Sequence, residues 1–411
     1  MVRLAVVVAL LAEFTCSWAA SAQALPPSIS VDDAVALALR DNAVLSAKRH
    51  EYRAAQAGEV TAGLRPNPIA SYAAEQLGNR NIDPQHTVTL GQPIELGGKR
   101  QRRLDSARAT SRLTAAELDD VRRQVILEVR KAFTDTLVAE ASVALAAEGL
   151  KSLDDIERLQ RIRLEKGDIS ELELTRVQIQ RFPFERDLAD ARQAAAAARI
   201  ALGAAMGRDT VPAAVAVVGD LSARETVIDA GALRRRALDT RPDLKAAEAA
   251  RVRARADRDL ARANAWWDIT PQVEYQRIGN DNTFGVGVSV PLRVFDRNQG
   301  ELARTAAEIE RTQAMREATA RRVLAEVDVA IGQVVSERDK VQLLREVYLP
   351  KAQRARDTVE FAYRRGGVSL LDFLDAQRTY RETALEHLRA LGNYRTALDH
   401  LEAAVGYGEE N

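Results

Sequence analysis

The sequence predicts a mainly α-helical chain with a small transmembrane β part. Two helical patterns of about 67 residues are far longer than a compact globular domain needs. Two pairs of short stretches alternate apolar and other residues, as half-buried strands do. The same order of segments occurs once in each half of the chain, so the fold is predicted to consist of two similar units.

The composition fits long, closely packed helices and removes several classes of function. Of 411 residues, 46% are hydrophobic, 29% are charged and only 5% are aromatic. The 59 Lys and Arg residues balance 59 Asp and Glu residues, so the basic excess typical of nucleic-acid-binding proteins is missing. No stretch beyond residue 25 is long and apolar enough for a polytopic helical membrane protein.

The first 24 residues are predicted to be an export signal. Arg3 precedes an apolar run over residues 4–11, and the segment ends in the A-x-A pattern Ala22-Gln23-Ala24. Cys16 raises the alternative of a lipoprotein, but residues 13–15 lack the apolar-then-small approach to a lipidated cysteine. Cleavage after Ala24 leaves a mature chain without cysteine, which suits an oxidising compartment.

The chain repeats itself at an offset of about 199 residues. The turn Lys-Gly-Asp-Ile-Ser at residues 166–170 recurs as Arg-Gly-Gly-Val-Ser at residues 365–369. Three further landmarks match in the same order, which predicts an ancient duplication. The predicted units are a first repeat at 25–207, a linker at 208–227 that forms a band of irregular structure around the middle of the molecule, and a second repeat at 228–411.

Each half is predicted to read helix, hairpin, very long helix, tight turn and return helix. The first helical pattern stops at the Pro-containing stretch 65–68, Gly97-Gly98 separates the hairpin from the long helix, and Gly167 ends that helix. The predicted ranges are helix 31–64, hairpin 68–96, long helix 99–166, tip turn 167–169 and return helix 170–205 in the first half, and 230–264, 269–294, 299–365, 366–368 and 369–405 in the second.

The helix lengths predict a rod. At 1.5 Å per residue each long helix reaches roughly 100 Å, and the two shorter helices of each half reach the same length when stacked end to end. An ordinary dimeric coiled coil is the alternative, but it does not explain the hairpins. Pro183 and Pro350 fall inside predicted helices, where each either kinks or ends its helix, and a helix that ends at Pro350 shortens the rod.

The predicted strands have the pattern of membrane β-strands. From Phe284 to Leu292 every second residue is apolar, with Gly285, Gly287 and Ser289 between them. The stretches near 86–96 and 269–278 alternate similarly, and about ten residues is the length of a tilted strand that crosses a bilayer. A half-buried soluble hairpin has the same alternation and stays an alternative. Because four strands cannot close a barrel, a membrane-spanning form requires oligomerisation, and three copies supply about 12 strands.

The double repeat, paired hairpins, long helices and glycine turns together resemble the TolC-like outer-membrane efflux family over essentially the whole mature chain. Residues 92–100, Gln-Pro-Ile-Glu-Leu-Gly-Gly-Lys-Arg, are similar to the branch that includes the outer-membrane component of cobalt–zinc–cadmium resistance pumps. The motif residues at the strand-to-helix break are Glu95, Leu96, Gly97, Gly98, Lys99 and Arg100.

The resemblance implies an assembly and a set of partners. It implies a homotrimer in the outer membrane, with long antiparallel helices forming a periplasmic α-barrel and two β-hairpins per protomer forming a 12-stranded barrel in lipid. It also implies a passive exit duct, without a cofactor, that conducts divalent heavy-metal cations to the exterior. An inner-membrane RND-type pump supplies this cargo, and a periplasmic adaptor links the pump to the duct.

Candidate chemistry fails on inspection. Gly97-Gly98-Lys99 hints at a phosphate loop, but Pro93 stands where the leading glycine belongs and Arg100 replaces Ser or Thr. We therefore interpret the motif as a strand-to-helix break with basic residues at the helix start. The four histidines do not have the spacing of a metal site: His50, His86, His387 and His400. No nucleophile–base pair can be proposed from the sequence. We expect a non-enzyme with no catalytic residue, bound metal, cofactor or nucleic-acid partner.

Functional positions are expected at the turns at the far end of the long helices. Gly167-Asp168 and Gly366-Gly367 are predicted to close the helices, with the glycines supplying left-handed backbone. The resemblance implies that these turns form the periplasmic tip that docks the adaptor. Basic residues flank both turns and are expected to add polar contacts there: Arg163, Lys166, Arg364 and Arg365.

Two carboxylates just past the second turn are candidates for selectivity. Asp372 and Asp375 are three residues apart, so both project from one helix face. In a trimer they form two stacked acidic rings, which favour cations and repel anions. This pattern resembles the acidic constriction of the family's tip aperture. The equivalent residues of the first half are Glu173 and Arg176, and an exposed acidic helix face is the alternative.

Two functions other than heavy-metal efflux stay open at this point. A duct for organic compounds or for secreted proteins has the same architecture. A soluble periplasmic coiled-coil scaffold shares the helices but predicts no trimer in the membrane.

Overall fold

The computed structural model describes residues 25–78, 82–222 and 227–407. The predicted export signal at 1–24 lies outside these residues, as do the tip of the first hairpin and part of the linker. None of the helices in the described ranges combines the length and apolarity needed to cross a membrane.

The first repeat contains five helices and one hairpin. Its elements are β1 (Ser28–Ile29), α1 (Val31–Asp41), α2 (Ala43–Gly63), β2 (Ile69–Glu75), β3 (Gln85–Gly91), α3 (Lys99–Glu165), α4 (Glu171–Ile179) and α5 (Arg181–Ala205). Helix α3 has 67 residues and is therefore roughly 100 Å long. It packs against α2 and α5 of its own half, as well as against helices of the other half.

The second repeat has the same order of elements. After β4 (Ala216–Val217) come α6 (Ala230–Thr240), α7 (Pro242–Asn264), β5 (Thr270–Ile278), β6 (Asp281–Ser289), α8 (Gln299–Leu343), a π-helical turn (Leu344–Tyr348), α9 (Leu349–Arg364) and α10 (Leu370–Val405). Helices α7 and α10 pack against both α3 and α8, which joins the two halves side by side.

The predicted single helices 31–64 and 230–264 are wrong, because each is two helices. At the first break, Asn42 has extended backbone, and its side-chain oxygen accepts hydrogen bonds from the N–H groups of Val44 and Leu45 at 2.9 and 3.1 Å. Asparagine at such a position caps a new helix rather than continuing the old one. At the second break, Pro242 forces Arg241 out of helical backbone and starts α7.

The prolines inside the other predicted helices have different effects. Pro350 lies in the first turn of α9 and follows one π-helical turn, through which the backbone stays helical. The rod is therefore not shortened at Pro350. The return helix 170–205 is interrupted at Gln180, so its prediction as one helix is wrong, and Pro183 lies in the first turn of α5, where its missing N–H is tolerated.

The two hairpins form one antiparallel sheet in the order β2-β3-β5-β6. Three strands end earlier than predicted. Proline has no N–H for a ladder, so β3 stops before Pro93 and β6 stops before Pro291. An isolated bridge between Ile94 and Ile269 then ties the end of the sheet to the helices.

The linker at 208–227 is not wholly irregular, which corrects the prediction. Within its described part, β4 pairs in parallel with β1, so that Ser28 lies opposite Ala216 and Ile29 opposite Val217. This ladder attaches the linker to the start of the first repeat.

Each repeat has its own core at the same internal positions. In the first, Ala38, Val129 and Leu202 belong to one buried cluster. In the second, Ala237, Val327 and Leu401 belong to another. These residues are 198 or 199 positions apart, so the duplication extends to the packing. A third cluster lies near the tip turns and draws on both halves: Leu153, Ile156, Val177, Phe184, Tyr363 and Phe373.

Candidate functional site

The sheet has one apolar face and one polar face. Residues paired directly across antiparallel strands lie on the same face, and the register carries the apolar row from strand to strand. One face carries Ala70, Tyr72, Val88, Leu90, Val273, Tyr275, Phe284 and Val286, and the other carries Ser71, Ala73, Thr87, Thr89, Glu274, Gln276, Thr283 and Gly285. The alternation predicted for each strand thus adds up to one continuous surface.

This apolar face is exposed in the protomer, and the sheet is open at both edges. Val286 is 89% exposed and Phe284 is 77% exposed. In the described part of the chain, β2 and β6 each pair on one side only. A large exposed apolar patch marks an interaction surface, and open edges are templates for further strands.

The motif at residues 95–100 fastens the sheet to the helices. Lys99 is 5% exposed, and its ammonium lies 2.7 Å from a carboxylate oxygen of Asp268. The other oxygen of Asp268 accepts a hydrogen bond from the Leu96 N–H at 3.0 Å. Glu95 forms a two-pronged ion pair with Arg103, at 2.5 and 3.1 Å. The strand-to-helix break is therefore held by charged groups, which use the basic residues of the motif.

Two adjacent glycines are required at this break for backbone reasons. Gly97 and Gly98 both have left-handed backbone, with φ of 68° and 71°. A Cβ on Gly97 would lie 2.8 Å from the Trp266 side chain, so the indole packs directly over the main chain. Arg100 reaches back to the end of α2, where its Nε donates to the Gly63 carbonyl at 2.5 Å.

Two participants in this junction were not predicted. Asp268 lies 169 residues from Lys99, and the pairing follows only from the fold. Asn298 takes the place of Gly98 in the second half, with φ of 64°, and its side-chain amide donates to the Ala261 carbonyl at 2.6 Å. Asparagine is among the few residues that tolerate this backbone.

The tip turns end their helices with matching pairs of hydrogen bonds. The Gly167 N–H donates to Leu164 and the Asp168 N–H to Arg163, at 3.0 and 2.8 Å. In the second half, Gly366 and Gly367 donate to Tyr363 and Ala362, at 3.0 and 2.9 Å. This is the Schellman closure, which needs left-handed backbone at one residue.

Left-handed backbone was predicted for Gly366-Gly367 as a pair, and this is wrong for Gly367. Gly366 has φ of 76° and Gly167 has φ of 80°, whereas Gly367 is outside the left-handed region. The physical reason is that the closure requires positive φ only at the first residue past the cap. Asp168 in the first half occupies the position of Gly367.

The fold brings the two tip turns together. A guanidinium nitrogen of Arg163 donates to the Arg364 carbonyl at 2.7 Å, and the Gln160 amide donates to the Tyr363 hydroxyl. The rings of Tyr363 and Phe373 stack with centroids 5.2 Å apart. Arg163 and Arg364, two of the four basic residues that flank the turns, thus link the two turns.

Lys166 ends α3 and Arg365 ends α9, each as the helix C-cap. The Arg365 guanidinium lies over the Phe361 ring, 4.2 Å from its centroid. Both side chains are exposed.

Asp372 and Asp375 lie together at the exposed start of α10. Asp372 completes a capping box: Ser369 donates to its carboxylate from N–H and hydroxyl at 3.1 and 2.7 Å. These hydrogen bonds hold the pKa of Asp372 below its ordinary value. Asp375 lies 3.1 Å from Arg378, and both side chains are nearly two-thirds exposed. Asp372 therefore has a structural role in addition to its charge.

The first half differs at the equivalent turn. The Ser170 hydroxyl caps α4 by accepting a hydrogen bond from the Glu173 N–H at 3.3 Å. Arg176 lies in the last turn of this short helix. The acidic pair is thus specific to the second half.

The histidines are dispersed over the rod. His86 lies on the sheet, with its Nδ1 2.8 Å from the Tyr72 hydroxyl. Burial lowers the pKa of His387 and of His400 in α10. Within the described ranges, no three His, Cys, Asp or Glu side chains are grouped so as to hold a metal ion.

A buried ionic cluster where α3 meets the end of α10 was missed. Asp399 is 3% exposed and lies 3.5 Å from Arg130, which also contacts Glu402 at 2.5 Å. Burial raises the pKa of Asp399 to about 6 and also raises the pKa of Tyr407, whose ring lies under the Arg130 guanidinium. Charged residues make up 29% of the sequence, so nothing in the sequence distinguishes the buried Asp399 from an exposed charged residue.

The structure combines a rod of long helices with an exposed sheet that is open at both edges. This is the architecture of the class of membrane channel proteins that the sequence resemblance predicts. The family model described as outer membrane efflux protein matches the chain twice, over residues 34–208 and 233–407. The chain therefore belongs to the outer membrane efflux protein family. The two matches begin 199 residues apart, the offset of the internal repeat.

Individual relatives agree with this membership. The chain is 29% identical over 384 residues to the cobalt-zinc-cadmium resistance protein CzcC of Cupriavidus metallidurans, covering 92% of this chain and 90% of CzcC. The solved structure of CusC has a TM-score of 0.78 at 20% identity, over 92% of each chain. The open-state channel MtrE of Neisseria gonorrhoeae has a TM-score of 0.76 at 19% identity, over 92% of this chain and 88% of MtrE.

The membership decides the class of function. The protein is an outer-membrane efflux channel with a large helical periplasmic part, from a family of channel proteins rather than enzymes. The alternative of a soluble coiled-coil scaffold is therefore wrong.

Proposed function

We propose that three copies of the chain assemble into one duct through the outer membrane. The observation that carries this proposal is the four-stranded sheet, which has one exposed apolar face and two open edges. Three such sheets joined edge to edge give a 12-stranded barrel with its apolar face toward lipid. The long helices below each sheet then line a periplasmic α-barrel of roughly 100 Å. Residues 1–24 direct export and are removed before assembly.

The tip turns are proposed as the docking end for the periplasmic adaptor. They are the surface farthest from the sheet, and Gly167, Asp168, Gly366 and Gly367 form their exposed bends. The adaptor connects the duct to an inner-membrane pump of the RND type. Because the two turns are linked through Arg163 and Arg364, both repeats present one shared surface.

The proposed cargo is a divalent heavy-metal cation. This rests on the 29% identity to the cobalt-zinc-cadmium resistance protein over 92% of the chain. The duct conducts passively, and selection among metals belongs to the adaptor and the pump, because the mature sequence has no cysteine for soft-metal binding. Asp372 and Asp375 are proposed to ring the aperture and to favour cations there.

A complementation experiment tests this function. Cells lacking the chain should accumulate Co²⁺, Zn²⁺ or Cd²⁺, and expression of the chain should restore efflux only together with its adaptor and pump. The protein should fractionate with the outer membrane as a trimer. If the trimer in that fraction restores export of an organic compound but of no metal, the proposal of an outer-membrane duct stands and the proposed cargo is wrong.

A further inference from the structure

The apolar face of the sheet has aromatic side chains at both ends. At the end away from the helices, Tyr72, Tyr275 and Phe284 lie in one row across the strands. At the end next to the helices, Trp267 lies three residues before β5 and is 49% exposed. Its neighbour Trp266 is 58% exposed. Phe295 follows β6 and is 91% exposed.

The outer aromatic row has polar tips that point away from the helices. The Tyr72 hydroxyl lies 2.8 Å from His86 and the Tyr275 hydroxyl lies 2.6 Å from Asn282. Both partners lie one row farther out on the same face, where Arg277 also lies. An apolar ring body with a polar tip suits the boundary between hydrocarbon and water.

The inner end is assigned by the alternation of β5. Trp267 is two residues before Ile269 and six before Val273, so an extended chain returns it to the apolar face. Trp266 takes the opposite parity, and its indole packs over Gly97 at the junction. Trp267 and Tyr275 are eight residues apart, roughly 26 Å along the strand, which covers about 20 Å across the membrane at the tilt of such strands. That approaches the apolar band of outer-membrane proteins, about 25 Å tall.

We infer that Trp267 is an interfacial anchor, which binds the headgroup region of the phospholipid leaflet on the periplasmic side. The row formed by Tyr72, Tyr275 and Phe284 marks the opposite boundary. Trp266 is a junction residue and does not contact lipid. The occupant is phospholipid because the surface continues directly from the exposed row of Val273 and Val286. This inference rests on the proposed membrane-spanning barrel.

The sequence supplies its own reporter for this inference. The chain has three tryptophans, and Trp18 is removed with the predicted signal, so the mature protein fluoresces from Trp266 and Trp267 alone. Trp266→Phe leaves Trp267 as the reporter, and Trp267→Phe leaves Trp266. A third variant carries both Phe substitutions together with Val288→Trp. Val288 lies on the apolar face opposite Pro271, midway between Trp267 and Tyr275 along β5.

The mature trimers are reconstituted in phospholipid vesicles brominated either near the headgroup or near the end of the acyl chain. Trp267 should lose most emission with bromine near the headgroup, and Trp266 should be nearly unaffected. The Val288→Trp reporter should lose most emission with bromine near the end of the acyl chain. The unsubstituted protein should also be quenched more by bromine near the headgroup than by bromine near the end of the acyl chain. This comparison guards against a result that arises from misfolding of one variant.

The outcomes separate the two proposals. Quenching at Val288→Trp without quenching of Trp267 overturns the anchor and keeps the barrel. Loss of quenching at both positions overturns the barrel as well. Equal quenching of Trp266 and Trp267 overturns the division of roles between them.

Discussion

At the scale of single residues, the two adjacent glycines of the second tip turn have different backbones. Gly366 has φ of 76°, and Gly367 is not left-handed. An L-residue in left-handed backbone costs about 1–2 kcal/mol. Space is open around Gly366, so the expected penalty there comes from backbone conformation alone.

We predict that Gly366→Val loosens the tip and that Gly367→Val is the milder change. A β-branched residue at positive φ should open the closure and reduce transport, while trimers stay in the membrane. At Gly367 a Cβ meets the Ala362 carbonyl oxygen at 3.5 Å and the Ala362 Cβ at 4.0 Å, both ordinary contacts. Limited proteolysis at the tip and metal efflux measure the difference. Equal transport by both variants would show that the turn does not need its native shape.

A second prediction concerns Asp399. Its pKa is raised from 3.8 to about 6, mainly by burial, so folding favours the neutral carboxyl. The stability that protonation provides is present below pH 4 and is lost as the pH rises through 6. Asp399→Asn keeps a neutral group of the same shape, so its advantage over wild type should grow to about 3 kcal/mol at pH 7. Thermal unfolding of the wild-type and Asp399→Asn trimers at pH 4, 5, 6 and 7 measures this difference. A stability difference that is the same at every pH would contradict the prediction.

At the scale of elements, the sheet has faces that a single substitution can distinguish. Val286 lies on the apolar face opposite Val273, and its neighbour Gly285 lies on the other face opposite Glu274. Val286→Arg should hinder assembly, because a lipid-facing charge inside the apolar band is unfavourable, by about 2–4 kcal/mol at the midplane and less toward the boundary. Gly285→Arg, at the same depth, places its cation near Glu274 and should assemble. The measurement is the yield of trimer, recognised by its change in gel mobility on heating. A higher yield from Val286→Arg than from Gly285→Arg would mean that the two faces are assigned the wrong way round.

The start of α10 yields a separate prediction about the aperture. Asp372 caps its helix, so replacing it mixes loss of charge with loss of the cap. Asp375→Asn removes a charge without touching the capping box and should weaken cation preference in single-channel recordings. Ser369→Ala removes the cap and leaves both charges, so it should destabilise the tip by about 1 kcal/mol and retain selectivity. Unchanged selectivity in Asp375→Asn would place this carboxylate away from the pore.

Some elements were predictable because their signals are local. Helix α3 has no internal proline or extended cap, and the strands alternate with a period of two, so both could be predicted from the sequence. The breaks at Asn42 and Gln180 were missed because Asn and Gln also occur inside helices, so one such residue does not by itself mark a helix end. The partner of Lys99 was not predictable, since Asp268 reaches it only after the two hairpins join into one sheet.

At the scale of the whole molecule, the duplication explains how one chain makes a uniform rod. Both halves bury the same positions around α3 and α8, and the third cluster, near the tip, is built from residues of both. The halves diverge at the two ends, where Lys99 pairs with Asp268 and where Asp372 and Asp375 lie. The repeated part therefore provides the scaffold, and the unrepeated residues provide candidates for function.

The open edges of the sheet should close a barrel between three protomers. Cys16, the one cysteine of the sequence, lies in the predicted export signal, so introduced pairs should report without background once that signal is removed. We would place one cysteine on β2, at Ala70 or Tyr72, and one on β6, at Phe284, Val286 or Val288, and oxidise the intact outer membrane. At least one combination should form a disulfide between chains and yield a covalent trimer, as adjacent strands permit. Disulfides that form only within one chain, or none between chains in any combination, would contradict it.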